Sequence, residues 1–357
     1  MDTPPPDTGS VRYLWLTRWF ERLRGQYGTV GATVAFGSLP AGIVLTYTVA
    51  RWSYMNLTYL YSLLAILVVT SVAPYLIWYY DSHLFPEFRT KVRPLIKADD
   101  VVATIDKRYH TLLAKRWWIA AVLASLPIPI LLYFGDPFLT QRGLFGRADL
   151  LFWIVGGLLL WIGVIVGIGF LLVAITFLAI RDVAAEQLEI DPMHPDGLGG
   201  MSAIGHYAIR TTTLFSLGAL LIPLQLQYAA TVGEAATTLI YIMGSAYGLF
   251  IAGSFLYPTI KINRKAEAIR AEILEDLRQQ YYTLKDRADE PTVGVSVDAT
   301  DQATEQKLNR LQEEYREYRN VRLYPLQLPI LIRLFTSVIL PILLIGIEYA
   351  IQSIAIV

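Results

Sequence analysis

The residues best suited to chemistry lie in one polar stretch between two long apolar runs. This stretch contains two carboxylates and two imidazoles between residues 191 and 206, those of Asp191, His194, Asp196 and His206. Zinc and iron are commonly bound by such ligands, so one interpretation is a divalent metal site. Their spacing matches no established metal motif, and the interpretation therefore rests on residue type alone.

Two other interpretations of this stretch remain open. The Asp-Pro and His-Pro dipeptides favour turns, and Ser202 is placed to cap the helix that follows. Alternatively, successive amides of Gly197, Gly199, Gly200 and Ser202 would bind an anion or a lipid headgroup ahead of a helix start.

Residues 194–200 read His-Pro-Asp-Gly-Leu-Gly-Gly, and the last apolar run is preceded by Tyr324-Pro325 and contains Pro341. This string and this arrangement resemble uncharacterised prokaryotic multi-pass membrane proteins. The resemblance implies membrane class and no particular activity or cofactor.

Composition excludes several classes of protein. The chain has 357 residues, of which 54% are hydrophobic and 17% charged, and no cysteine. Disulfides, thiolate metal sites and cysteine nucleophiles are therefore excluded. Nucleotide-binding and hydrolase motifs are absent, and a net charge of zero gives no bias towards nucleic acid. The mean hydropathy of +0.44 is typical of membrane proteins.

The apolar runs predict an all-α, polytopic transmembrane bundle. A helix needs roughly 20 mostly apolar residues to cross the hydrocarbon. Seven runs meet this requirement, at residues 29–50, 57–79, 117–134, 150–180, 211–229, 236–260 and 330–351. Together with the segments between them, they divide the chain into 1–28, 29–80, 81–116, 117–180, 181–210, 211–260, 261–328 and 329–357.

The basic residues predict the orientation. Of 30 Lys and Arg, 26 fall in residues 1–28, 81–116, 181–210 and 261–328, which lie on one side of the predicted membrane. Basic loops stay in the cytoplasm. We therefore expect a cell-membrane protein with a cytoplasmic amino terminus and an external carboxyl terminus.

The predicted spans contain few charged residues. Arg333 and Glu348 lie near opposite ends of the last span, so no ionisable group is expected at mid-depth. This argues against a proton-coupled transporter. The Pro127-Ile128-Pro129 string predicts either a break in the third span or a kink without a break.

Two pairs of glycines have the spacing of close helix contacts. They are Gly163 with Gly167 and Gly244 with Gly248. Such pairs serve either packing within one chain or self-association.

Three amphipathic segments are expected on the cytoplasmic side. Residues 10–27 predict an interfacial helix with its apolar side in lipid. Residues 99–115 predict a helix packed on other cytoplasmic segments. Within 261–328, two apolar stripes separated by a polar loop predict an antiparallel, coiled-coil-like helical hairpin.

Three functional hypotheses follow. The favoured one is a non-catalytic membrane component that binds a cytoplasmic protein through the hairpin. The second is a passive channel or uniporter, suggested by the prolines and glycines of the spans. The third is a metal-dependent interfacial enzyme using His194, Asp196 and His206. The lipid bilayer is a predicted partner, self-association is possible in principle, and no nucleic acid is expected.

Overall fold

The computed structural model describes residues 14–96, 99–146, 148–186, 200–229, 234–289 and 297–320. Over these residues the protein is helical and contains no strand, which confirms the predicted all-α class. The α-helices are α1 Trp15–Ala50, α2 Leu57–Tyr79, α3 Phe85–Val92, α4 Asp99–Lys115, α5 Trp117–Ser125, α6 Pro127–Phe134, α7 Asp136–Gln141, α8 Leu150–Ala185, α9 Ser202–Phe215, α10 Ile222–Ala229, α11 Glu234–Asp289 and α12 Val297–Asn320.

Four helical segments of the described chain are long and apolar enough to cross a membrane. They are Trp15–Ala50, Tyr59–Leu95, Trp117–Phe134 and Leu150–Ala185. The fifth predicted span is instead divided between α9, a 3₁₀ segment at Ser216–Leu221 and α10. Pro223 explains part of this break, because it has no N–H for the carbonyl of Ala219. The sixth predicted span lies within α11, and the seventh lies outside the described residues.

Helix α1 turns at Gly28, whose φ of 73° and ψ of 177° interrupt the helix. A positive φ of this kind favours glycine because a side chain would clash with the backbone. The turn separates the helix before Gly28 from the long apolar helix after it. This division agrees with the boundary that the amphipathic pattern predicts near residue 28.

The helix before Gly28 is placed differently from the prediction. Its apolar side was expected in lipid, but Leu16 and Phe20 are fully buried in the protein. Phe20 stacks on Trp78 at the end of α2, with ring centroids 5.2 Å apart, and the Trp78 Nε1–H donates to Glu21 Oε2 over 2.6 Å. Aromatic contacts with α2 therefore replace contact with lipid, and Trp19, 61% exposed, remains outside.

The third predicted span bends where the sequence places its prolines. Helix α5 ends at Ser125 and α6 begins at Pro127, with Leu126 between them still in a helical conformation. The result is a kink rather than an unwound gap. Since Pro127 is at the start of α6, its missing N–H costs little there.

The glycines of α8 bring it close to α5. A Cβ added to Gly167 would lie 2.7 Å from the Ala121 Cα, and one added to Gly163 would lie 2.9 Å from the Ser125 Cα. Contacts this short leave no room for a side chain. The first glycine pair therefore packs two helices of the same chain.

Helix α4 has the bounds that the sequence predicts and packs on the end of α8. Ile105 and Tyr109 are buried. The Tyr109 hydroxyl donates to Asp182 Oδ2 over 2.8 Å, and Arg108 Nη1 donates to the same oxygen over 3.0 Å. Burial, and then the neighbouring Asp182, raise the pKa of Tyr109. These bonds attach α4 to the bundle.

Gly167→Leu is expected to destabilise the protein by about 2 kcal/mol or more, because an overpacked side chain must separate α5 from α8. Gly157→Leu on the same helix is the control, since a Cβ at Gly157 meets no described atom within 4 Å. Thermal unfolding of the purified protein in detergent measures both. Equal melting temperatures for the two variants would contradict the proposed α5–α8 contact.

Candidate functional site: an apolar cavity and two buried polar clusters

A cavity of about 350 Å³ lies between α2, α5, α8, α9 and α11. Most of its lining is apolar, including Val69, Leu172 and Met243. Its walls also contain Pro127, at the kink between α5 and α6, and Gly218, in the 3₁₀ segment. Because helices that bend cannot stay in contact along their whole length, these two irregular segments account for the space.

Hydroxyl groups form one end of this cavity. We define the tyrosine cluster as Tyr80, Thr176, Tyr207 and Thr211, all of them buried. The Tyr80 hydroxyl lies 2.6 Å from the Tyr207 hydroxyl and 2.9 Å from Thr176 Oγ1. Thr176 Oγ1 is also 3.4 Å from Thr211 Oγ1. Tyr80 and Thr211 line the cavity directly.

The tyrosine cluster is anchored to the backbone of α8. Both the Tyr80 hydroxyl and Thr176 Oγ1 lie within hydrogen-bond distance of the Leu172 carbonyl, at 3.1 and 3.0 Å. Phe88 of α3 stacks on the Tyr207 ring with centroids 4.1 Å apart. A buried hydroxyl that loses its partner costs roughly 1–3 kcal/mol, so this network fixes how α8 and α9 meet the π-helical segment Tyr80–Leu84 that follows α2. Its neutral hydroxyls suit a hydroxyl- or carbonyl-bearing ligand rather than a metal ion.

A second polar cluster lies at the opposite end of the bundle. We define the arginine cluster as Tyr47, Ser62, Arg142 and Gln227, which are buried. Arg142 Nη2 donates to Gln227 Oε1 over 2.9 Å, and Ser62 Oγ donates to the same oxygen over 3.1 Å. The Tyr47 hydroxyl donates to the Arg142 carbonyl over 2.7 Å. The cluster thus joins α1, α2, α10 and the chain after α7.

Two aromatic rings enclose the Arg142 guanidinium. Its central carbon lies 3.5 Å from the ring centroid of Phe138 and 3.7 Å from that of Tyr59. The residue is only 7% exposed. Cation–π contacts of this kind are strongest where water is excluded. Arg142 is therefore part of the internal structure, although the sequence places it in an external loop.

Asp149 organises the loop beside the arginine cluster. Its carboxylate accepts from the Leu151 N–H over 3.0 Å, from the Phe145 N–H over 3.3 Å and from Arg51 Nη2 over 3.2 Å. Burial opposes the charged form, but these hydrogen bonds and the Arg51 charge lower the pKa of Asp149 overall. Asp149 is therefore both the cap of α8 and the ionic partner of Arg51.

Most of the polar stretch between α8 and α9 lies outside the described residues. His206 lies on α9 with its side chain exposed. Among the described residues, no group of three His, Asp or Glu side chains is placed to hold a metal. Of the remaining predicted site residues, Asp191, His194, Asp196, Gly197, Gly199, Arg333 and Glu348 lie outside the described residues.

Gly200 and Ser202 lie at the start of α9. Gly200 has a φ of 87°, which is consistent with the turn expected there. The prediction that Ser202 caps α9 is wrong by one residue: Met201 occupies the cap position, and Ser202 is the first residue of the helix. A capping side chain belongs to the residue before the helix, and Ser202 is already inside it.

The two glycine pairs have different surroundings. Gly163 and Gly167 face α5, as described above. A Cβ added to Gly244 or Gly248 of α11 meets no atom of the described chain within 4 Å. The second pair is therefore open on the described part of the protein.

Sequence reasoning missed both polar clusters. The tyrosine cluster joins residues that are far apart in the chain: its hydrogen-bonded members Tyr80 and Tyr207 are separated by 127 residues. Taken alone, each member of the cluster looks like an ordinary helix residue. The available signal was weak: threonine and tyrosine recur on one face of α9, at Tyr207 and Thr211. For Arg142, the preceding Phe138 at helical spacing was the only local sign of a ring contact.

The chain has no match among models of known protein families, curated proteins or solved structures.

Asp149→Ala is expected to lower stability by about 1–2 kcal/mol near neutral pH, through loss of the helix cap and the Arg51 pair. Because the folded-state pKa of Asp149 is depressed, this contribution is complete above the unfolded pKa and is lost as pH falls through the folded pKa. The melting temperatures of wild type and variant should therefore converge below about pH 4. Asp136→Ala, at an exposed residue, is the control, and a gap independent of pH would contradict the assignment.

Proposed function

We propose that the chain is a multi-pass protein of the cell membrane, without catalytic activity of its own, that binds a cytoplasmic protein through an antiparallel helical hairpin. The hairpin consists of the carboxyl half of α11 together with α12. The observation that carries this proposal is the continuity of α11, which runs unbroken over 56 residues.

The length of α11 exceeds what a membrane span requires. At 1.5 Å per residue it is ~84 Å long, whereas the hydrocarbon is ~30 Å thick. Met243 and Tyr247, in its amino half, line the cavity in the bundle. Tyr281, in its carboxyl half, accepts a hydrogen bond from Gln312 Nε2 of α12 over 3.3 Å. One rigid element thus connects the bundle with the paired helices.

The apolar side of the hairpin is used in its own pairing. Leu277 is buried, and Tyr281 and Leu284 are half-buried along the same stripe, as are Leu308, Leu311 and Tyr315 of α12. The surface left for a partner is polar, with exposed charges of both signs. On α12 these are Glu305, Lys307, Arg310, Glu313, Arg316, Glu317 and Arg319. We therefore infer a partner with complementary charges, whose binding weakens as salt increases.

The distribution of basic residues supports a cytoplasmic location for the hairpin. Residues 261–328 hold twelve of the 30 Lys and Arg, and the other basic loops lie on the same predicted side. Segments rich in Lys and Arg are retained on the cytoplasmic side when a protein inserts into the membrane. A partner is therefore sought among cytoplasmic proteins.

Deleting residues 274–319 and joining Ile273 to Asn320 through a short glycine-serine linker is expected to abolish partner capture, because all seven α12 charges are removed. The hydrogen bond between Gln312 and Tyr281 places Ile273 and Asn320 at about the same level of the antiparallel pair, so the shortened chain can close again. Capture is measured by affinity purification from membranes of the native host at low and high salt, and insertion by resistance to carbonate extraction.

The matched control replaces residues 290–296 with a glycine-serine linker of equal length. This variant keeps both helices and should retain every partner that the wild type captures. Retention of the same partners by the 274–319 deletion would refute the proposal.

A passive channel or uniporter is the second candidate, and the cavity is the observation that favours it. The cavity has a volume of about 350 Å³ and lies between buried polar clusters at the two ends of the bundle. A small solute that crosses the membrane through the bundle could bind there. Opening would require movement at the tyrosine cluster, which closes one end. The hypothesis of a metal-dependent enzyme stays a prediction, because Asp191, His194 and Asp196 lie outside the described residues.

Flux into proteoliposomes tests the second candidate. Ala73→Phe places a ring in the cavity and is expected to reduce any flux several-fold, because Ala73 lines it. Val34→Phe is the control, since Val34 is exposed on the outside of α1 and its ring does not enter the cavity. Wild-type liposomes that stay tight to a broad panel of ions and small solutes would eliminate this function.

A further inference from the structure

We propose that the cavity beside the tyrosine cluster is a binding site for one molecule of a lipophilic alcohol that enters from the bilayer. The ligand hydroxyl donates to the cluster, and the apolar chain of the ligand fills the rest of the cavity. This inference goes beyond the hairpin and its cytoplasmic partner and depends on neither of them. It concerns binding only, so it does not require that a solute passes through the bundle.

The walls of the cavity favour an uncharged and mostly apolar ligand. None of the described residues that line it is charged, and its polar side chains are those of Tyr80, Thr211, Gln225 and Tyr247. A carboxylate or a phosphate buried here would have no cation of the lining beside it, which is costly. The volume of about 350 Å³ is at the lower end of the range for ligand pockets, ~300–1,000 Å³. The ligand is therefore small and neutral.

The hydroxyl end of the cavity lies near the surface of the bundle. Thr211 directly follows Arg210, whose Nη1 donates to Glu87 Oε2 over 2.9 Å in an exposed ion pair. From Tyr80, the wall of the cavity runs back along the helix to Val69, which is ~16 Å. An amphiphile thus fits with its polar group at the tyrosine cluster and its chain directed towards Val69.

The tyrosine cluster has more acceptor sites than protons. Each hydroxyl has one proton to donate and two lone pairs to accept with, so at least half of the lone pairs stay open. The Leu172 carbonyl increases this excess, because it competes for the protons of Tyr80 and Thr176 at 3.1 and 3.0 Å. A ligand hydroxyl supplies the proton that the cluster lacks. A ligand that only accepts would instead require a hydroxyl to turn away from its present partner.

Thr211 is the member of the cluster best placed to meet the ligand. It lines the cavity, and its Oγ1 lies 3.4 Å from Thr176 Oγ1, the longest distance in the cluster. The Tyr80 hydroxyl, by contrast, is already 2.6 Å from the Tyr207 hydroxyl and 2.9 Å from Thr176 Oγ1. A new hydrogen bond at Thr211 therefore disturbs the existing network least.

The cavity reaches the outer surface of the bundle within an apolar helix. Leu123 of α5 and Ala246 of α11 line the cavity, and both are exposed. Leu123 is 66% exposed, whereas Val69 and Leu172 in the walls are 2% and 5% exposed. Leu123 lies inside Trp117–Phe134, which is long and apolar enough to cross a membrane. A molecule dissolved in the bilayer can therefore enter from the side, beside α5 and α11, without passing through water.

Photoaffinity labelling of the full chain in phosphatidylcholine nanodiscs tests the proposal. The probe is dodecanol with a diazirine at the end of its chain, because this chain is comparable in length with the wall along α2. We expect saturable labelling of residues that line the cavity, located by mass spectrometry after digestion. Unmodified dodecanol should compete with the probe. Dodecyl methyl ether, which only accepts hydrogen bonds, and dodecanoate, which is charged, should compete several-fold less well.

Thr211→Val keeps the shape of the side chain and removes its hydroxyl, so saturable labelling should fall several-fold. Thr211→Ser restores a hydroxyl and should retain labelling. The matched control is Thr212→Val: Thr212 is the next residue, is likewise 3% exposed, and donates to the Ala208 carbonyl of its own helix over 2.9 Å rather than lining the cavity. Melting temperatures show whether each variant is folded, and the competition on the wild-type protein needs no variant.

Three results would overturn the proposal. The first is labelling that excess dodecanol does not displace, or that is confined to residues on the outside of the bundle such as Val34. The second is equal competition by dodecanol and its methyl ether, since the cluster would then not require a donor. The third is equal labelling of folded Thr211→Val and Thr212→Val. None of these results depends on partner capture or on solute flux.

Discussion

Polar groups inside an apolar medium must find their partners within the protein, and this constraint accounts for much of the structure. Backbone groups meet it through helices, which make up most of the described chain. Side chains meet it through the two buried clusters, where the hydroxyl of Tyr80 and the guanidinium of Arg142 each bond to groups from distant segments. Since a missing partner costs more than a present one contributes, these clusters determine which helices are neighbours and leave the apolar cavity between them.

The apolar runs and stripes of the sequence predicted several of the helical elements. The run of residues 150–180 lies within the single helix α8, and the stripe of residues 99–115 matches α4 residue for residue. The break between α5 and α6 lies at the proline string that the sequence offers, whereas Pro40 and Pro74 lie inside continuous helices. Local composition is enough for such features because backbone donors and ring geometry act within four residues.

The partners of each element were beyond the sequence. The helix before Gly28 has the pattern of a lipid-facing helix, yet Phe20 is placed against Trp78, more than fifty residues away. Nothing in an apolar stripe says whether lipid or protein will cover it. The same ambiguity applied to the two glycine pairs, and only the short distance from Gly167 to Ala121 shows that the first pair packs within the chain.

The turn at Gly28 folds the two parts of α1 against each other. Phe20 before the turn stacks on Phe36 after it, with ring centroids 5.7 Å apart, and also on Trp78 of α2. Moving either part of α1 would therefore break aromatic contacts with the other part as well as with α2.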